Sequence, residues 1–268
     1  TNRPHSIQRR IVRRSNKVTM WIFGDCPARY FKYLPDSWIQ NVATTLNQKV
    51  ISCVKTRSSL EYTYYRFNQK ESDIKENDII IMSLNTLEKR WFFEDPILDP
   101  GEPGTEKKTK AIKNYYRYLW FLEEITEVYF TNFLYHLDYF ALKKNVHIIV
   151  LPNFIDADNI VRKYQKELKN LHFPIGKFGD LSKEEWKTEF LNKYGPGWFA
   201  KNDVRVNHAI KSNHIIMKDK VIDNILYKKP IDLTQGFIIN ILDDKVIQDP
   251  DFIKNELFDG FMAKARGE

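Results

Sequence analysis

Four short apolar runs, each followed by a longer stretch of helical periodicity, constrain this chain more than any other feature. They are Val18–Phe23, Lys49–Val54, Ile79–Leu84 and Val146–Leu151. Short strands alternating with amphipathic helices make βαβ units, and these build a mostly parallel sheet with helices on its faces. The run Ile79–Leu84 is almost wholly apolar, the pattern of a strand buried on both sides. Between the runs, a helix starts at Asp36–Ser37 and carries Trp38, Ile39, Val42 and Leu46 at helical spacing. A Tyr-rich helix follows the polar turn Lys55–Ser59 from Leu60. Pro27 stands where a helix would open, with Cys26 as its N-cap. Ile125, Phe130, Phe133, Leu134, Leu137 and Phe140 mark the inner face of a long helix. Further helical patterns cover Asn159–Leu171, Ser182–Tyr194 and Val204–Asn224. Glu94–Lys110 holds Pro96, Pro100, Pro103, Gly101 and Gly104 and reads as a loop of the kind that forms lids. From Pro230 the periodicity fades. The predicted organisation is a basic arm over 1–17, an α/β domain over 18–229, and a C-terminal extension over 230–268 that packs on the domain or on a partner.

A chain of 268 residues with 43% hydrophobic content can bury one large core without staples. Its two cysteines form no C-x-x-C pair, which excludes a disulfide framework and a thiolate zinc site and fits a reducing compartment. The longest apolar stretches fall far below the roughly 18 residues of a membrane span. No apolar segment follows the basic start as in a secretory signal. The expectation is a soluble protein, cytoplasmic or associated with a virion, that does not engage a membrane. Net charge is +7, and six of the cations (Arg3, Arg9, Arg10, Arg13, Arg14 and Lys17) sit in the first seventeen residues, which contain no acid. A nucleic-acid-binding domain spreads its cations over a folded face. Here only the arm qualifies. Ile7 and Ile11 share a helical face there, so the arm reads either as a short helix for an acidic partner or nucleic acid, or as a solvated terminus.

In an open parallel sheet, ligands bind beyond the carboxyl ends of the strands. Three successive strand exits carry polar groups: Gly24–Asp25–Cys26, Arg57–Ser58–Ser59 and Ser83–Leu84–Asn85. Much later, His208 and His214 form the closest histidine pair in the sequence. A nucleophile after strand one, donors after strands two and three and a late histidine base suit acyl transfer. Six residues place the two histidines about 240° apart on a helix, so they are not a metal pair and His214 reads as a packing or capping residue. His5, His136, His147 and His172 read as isolated. Cys53, inside an apolar strand, reads as packing.

Four blocks resemble the SGNH or GDSL hydrolases, esterases on a flavodoxin-like three-layer αβα sandwich. Phe23–Gly24–Asp25–Cys26 is similar to the first block, F-G-D-S, with cysteine in the place of the nucleophilic serine. The second block falls at Thr56–Arg57. Asn85 matches the asparagine of the third block. His208 through His214 resembles the fourth, H-x-x-x-x-x-H. The resemblance implies Cys26 as nucleophile and His208 as base. It also implies Asn85 with the Cys26 amide as oxyanion donors, with Arg57 and Ser58 beside them and no cofactor or metal. The cast Trp21–Asp25 with Lys89–Phe92 is similar to versions encoded by tailed bacteriophages.

Besides Cys26, the second, third and fourth blocks depart from the pattern. Arg57 stands where the family has a glycine whose amide approaches the oxyanion. Ser83–Leu84–Asn85–Thr86 replaces G-x-N-D. Arg205 occupies the site of the acid that orients the histidine, leaving Asp203 as the nearest carboxylate; losing such an acid costs roughly 10⁴ in kcat. Two functions therefore stay open. One is an acyl hydrolase, acting on an ester such as a carbohydrate O-acetyl group. The other is a degenerate member that binds a glycan or a protein in an assembly such as a phage particle. A nucleotide user recognising phosphate through Lys55–Ser59 is a third reading, disfavoured because no glycine-rich loop follows strand one.

Overall fold

The computed structural model describes residues 18–24, 37–55, 58–84, 90–92, 95–98, 123–153, 155–178 and 211–237. Five parallel strands form the central sheet: β1 (Thr19–Gly24), β2 (Lys49–Val54), β3 (Ile79–Leu84), β6 (His147–Pro152) and β7 (Leu171–His172). Their order is β2-β1-β3-β6-β7. Counting only these strands along the chain, this is the 2-1-3-4-5 order of the flavodoxin-like fold, and the architecture is a three-layer αβα sandwich.

Alternation along each strand sends side chains to two separate cores. Trp21, Phe23, Ile80, Met82, Ile148 and Val150 face α2 (Leu60–Lys70), α3 (Glu123–Lys144) and α4 (Ile155–Tyr164). Met20, Ile22, Ile79, Ile81, Ile149 and Leu151 face α1 (Trp38–Leu46) and α5 (Lys211–Tyr227). All six residues of β3 are buried, as its unbroken apolar run predicts. The expected inner stripe of α3 is core: Phe130, Phe133, Leu134, Leu137 and Phe140 are buried, and Phe67 of α2 meets Phe140 edge to face. Burying each such side chain stabilises the fold by about 1.5–3 kcal/mol.

Helix boundaries follow local chemistry. Ser37 caps α1 by accepting the Gln40 N–H, and Asn47 ends it in the left-handed region at φ 53°. Ser59 caps α2 by accepting the Tyr62 N–H at 3.2 Å.

Several expectations need correction. Within the segment predicted as loop, Asp95–Leu98 is strand β5, paired antiparallel with β4 (Arg90–Phe92) outside the main sheet. A two-stranded pair is all edge, and an edge tolerates Pro96. The helix predicted over Asn159–Leu171 starts earlier and stops at Tyr164, and Leu171–His172 forms the fifth strand. No correction falls on the described start of the predicted extension, where Ile231, Leu233 and Phe237 are buried in the α1/α5 core and Asp232 bridges to Ile175. The arm over 1–17, the helix predicted at Pro27, that over Ser182–Tyr194, the start of that over Val204–Asn224, and residues 238–268 lie outside the described residues. Among the described residues no helix is long and apolar enough to cross a membrane.

Candidate functional site

The strand order fixes one switch point. β1 has β2 on one side and β3 on the other, and the chain runs from β1 toward β2 and from β3 toward β6, the arrangement beside whose carboxyl ends doubly wound sheets bind ligands. Gly24, the last residue of β1, is in register with Val54 of β2 and Ser83 of β3. Its φ is +112°, and a Cβ there would lie 1.9 Å from the Ser83 carbonyl oxygen. Only glycine fits a backbone bent this way and pressed this closely on its neighbour. The Gly24 carbonyl in turn accepts the Lys55 N–H at 3.1 Å, so three strand exits are tied together.

The polar groups along this edge are small and buried. Ser83 and Asn153, which follows β6, are 1% and 2% exposed, and the Asn153 amide donates to the Ser83 hydroxyl at 3.0 Å. The Asn153 backbone N–H also donates to the Leu84 carbonyl at 2.9 Å, extending the β3–β6 pairing past the end of the strand. Ser58 and Ser59 are buried at the start of α2, where the Ser58 N–H donates to the Lys55 carbonyl. α1 and α5 open side by side on this edge, because the short link from Leu46 to Lys49 puts the far end of α1 at the amino edge. The Trp38 N–H at the first turn of α1 donates to His214 Nδ1 at 3.2 Å. His214 thus caps a helix, the role the sequence suggested.

Of the residues proposed for chemistry, Ser58 is described and stands at this edge. Cys26, Arg57, Asn85, Asp203 and His208 lie outside the described residues. Cys53 is 8% exposed and burial pushes its thiol pKa up, as expected of a packing cysteine. Among the described residues no three His, Cys, Asp or Glu side chains are grouped to hold a metal ion.

The sequence did not single out Asn153 as a site residue, though an asparagine directly after a buried apolar strand is a signal of a polar strand exit. Nor did it pair the histidines that do meet. His147 and His172 start β6 and end β7, and their rings lie 4.0 Å apart at the opposite, amino side of α5's run across the sheet. Comparison with protein-family models, curated proteins and solved structures finds no match to this chain.

Proposed function

We propose that the crevice between the carboxyl ends of β1 and β3 is the site of an SGNH-like acyl hydrolase that uses Cys26 as nucleophile. The observation that carries this is the register of Gly24 with both Val54 and Ser83. Cys26 and Asn85 each follow this register pair by two residues, and Ser58 stands four beyond Val54. A chain extends at most about 3.6 Å per residue, so Cys26 and Asn85 start within roughly 7 Å of one strand junction. His208 precedes the start of α5 by three residues, and that start lies against α1 on the same edge.

In the proposed reaction the Cys26 thiolate attacks the ester carbonyl carbon. The negative charge that develops on the carbonyl oxygen is held by the Asn85 amide and the Cys26 N–H. His208, oriented by Asp203, gives its proton to the departing alkoxide and leaves a thioester on Cys26. It then takes a proton from water, which attacks the thioester and releases the acid and the thiolate. The Ser83 departure is compatible with this, since its hydroxyl is engaged by Asn153.

Arg57 and Arg205 favour the second reading, a member that keeps the crevice and binds a glycan or an assembly partner without turnover. An ester panel that includes O-acetylated sugars separates the two. Hydrolysis that disappears in Cys26→Ala, with iodoacetamide labelling Cys26 well ahead of the buried Cys53, is the expected result. No turnover on any ester, with Cys26 inert in the folded protein, overturns the hydrolase and leaves binding.

A further inference from the structure

Nine large apolar side chains are exposed among the described residues, and six of them stand on the α2–α3 layer: Tyr65, Val128, Tyr129, Tyr135, Tyr139 and Leu142. α3 already buries Phe130, Phe133, Leu134, Leu137 and Phe140 against the sheet. At 3.6 residues per turn, Val128, Tyr135, Tyr139 and Leu142 fall on the opposite side of the same helix. Val128 is 59% exposed, Tyr139 60% and Leu142 66%. A helix that lies on the surface of a domain usually turns charge outward. Apart from the exposed Asn132, the outer stripe of this one is apolar along a line of about 21 Å.

We propose that the outer face of α3 is the interface of a two-fold dimer, with the α3 helices of two copies packed antiparallel. The occupant is argued from symmetry and charge. Val128 and Leu142 stand seven residues before and after Tyr135. An axis through Tyr135 therefore sets Val128 of each copy against Leu142 of the other, the self-complementarity that an isologous contact requires. In sequence the helix opens with acids at positions 123, 124 and 127, of which Glu127 is bonded to Lys163 and Tyr164 of its own chain, and it closes with Lys143 and Lys144. Antiparallel packing brings together helix ends of opposite sequence charge and opposes the helix dipoles. Parallel packing would stack like charges.

The anchors are already held in place. The Tyr135 hydroxyl donates to Glu167, and the Lys143 ammonium lies 5.7 Å from the centre of the Tyr139 ring, so less side-chain freedom is lost on docking. One helix pair is short of the roughly 1,000 Å² that a specific interface buries. Tyr65 and Tyr129 widen the surface on the α2 side.

Light scattering on the full chain is expected to give twice 32.0 kDa at about 100 µM. Leu142→Glu, whose effect counts twice by symmetry, should raise the dissociation constant at least about 100-fold with an unchanged circular dichroism spectrum. Under mild oxidation Tyr135→Cys should cross-link to itself above the wild-type background. Val128→Cys and Leu142→Cys should cross-link only when mixed. A monomer at that concentration, or a dimer in which Tyr135→Cys stays at background or Val128→Cys links to itself, overturns the proposal.

Discussion

Among the described residues, Asp78 and His147 where the strands begin are ionisable and each is claimed by several partners; the polar groups at the ends of β1 and β3 are small, neutral and gathered around a glycine. At the amino side Asp78 is 3% exposed, and its carboxylate accepts the Thr19 N–H, the Trp21 indole N–H and the Lys75 N–H at 2.8–2.9 Å. His147 is held as tightly. The Lys228 ammonium can only donate, so His147 Nδ1 accepts from it, and the proton on Nε2 goes to Asn224 Oδ1 at 2.9 Å. Asn224 completes the chain by donating to the Lys229 carbonyl. At the carboxyl side, among the described residues, no buried charge ties the ends of β1 and β3 together. A Cβ-free contact and a serine–asparagine pair do that work. The contrast teaches that, among the described residues, the amino edge locks the layers through shared charged groups, whereas the carboxyl edge brings backbone close through Gly24 and a neutral side-chain pair.

Gly24→Ala is the sharpest way to break the carboxyl side. The added methyl meets backbone 1.9 Å away in a conformation that side chains rarely adopt. Backbone strain and overpacking together should cost about 4 kcal/mol, read as a drop in denaturation midpoint at unchanged m-value. On the amino side Asp78→Ala removes one carboxylate and takes the acceptor from three donors, the buried Trp21 indole N–H among them. The expected loss is about 3 kcal/mol, with a change in Trp21 fluorescence that Gly24→Ala does not mimic.

What the sequence discloses differs between these two edges for a physical reason. Strand β3, the Leu60 start of α2 and the Ser37 cap are written in consecutive residues, because burial and capping are local patterns. The ends of β1 at Gly24 and of β3 at Leu84 are legible for the same reason: each closes an apolar run. β7 escapes because two residues are too few for alternation to register. The amino-edge contacts escape because they are long-range. Asp78 reaches Trp21 across 57 residues and His147 meets His172 across 25, and nothing near either residue announces its partner. Asn153 looks like an ordinary strand terminus until β3 is laid beside β6.

The amino edge should also be the acid-sensitive one. Burial, followed by the neighbouring His172 and Lys228 charges, pulls the His147 pKa from 6.5 to about 3, and burial with Lys228 pulls His172 to about 4. A histidine whose folded pKa is depressed contributes stability that is complete above its unfolded value and is lost as pH falls toward the folded one. The window opens at 6.5 and runs down to about 4, then about 3. The carboxylates held low by hydrogen bonds, Glu127 and Asp232, start to matter only near their ordinary values of 4.5 and 3.8. Discounted for solvent screening of these half-buried rings, the loss between pH 7 and 5 is about 2 kcal/mol. Thermal unfolding across that range should show it. His147→Gln should flatten the slope, and a slope unchanged in that variant would assign the acid sensitivity elsewhere.

The smallest effect tests whether the carboxyl edge depends on Ser83 and Asn153 acting as a pair. Ser83→Ala leaves the Asn153 amide without its 3.0 Å acceptor, and Asn153→Ala strips the hydroxyl of its donor while keeping the backbone bond to Leu84. Either single change exposes a buried polar group to an unmade bond, whereas the double change removes both groups at once. The double-mutant cycle should therefore return a coupling of about 1 kcal/mol, with the double variant more stable than the sum of the singles implies. A coupling near zero would mean that the two side chains are satisfied independently. The end of β3 would then be held by Gly24 and the backbone ladder alone, and the contrast between the two edges would narrow to the charged groups that tie the strand starts together.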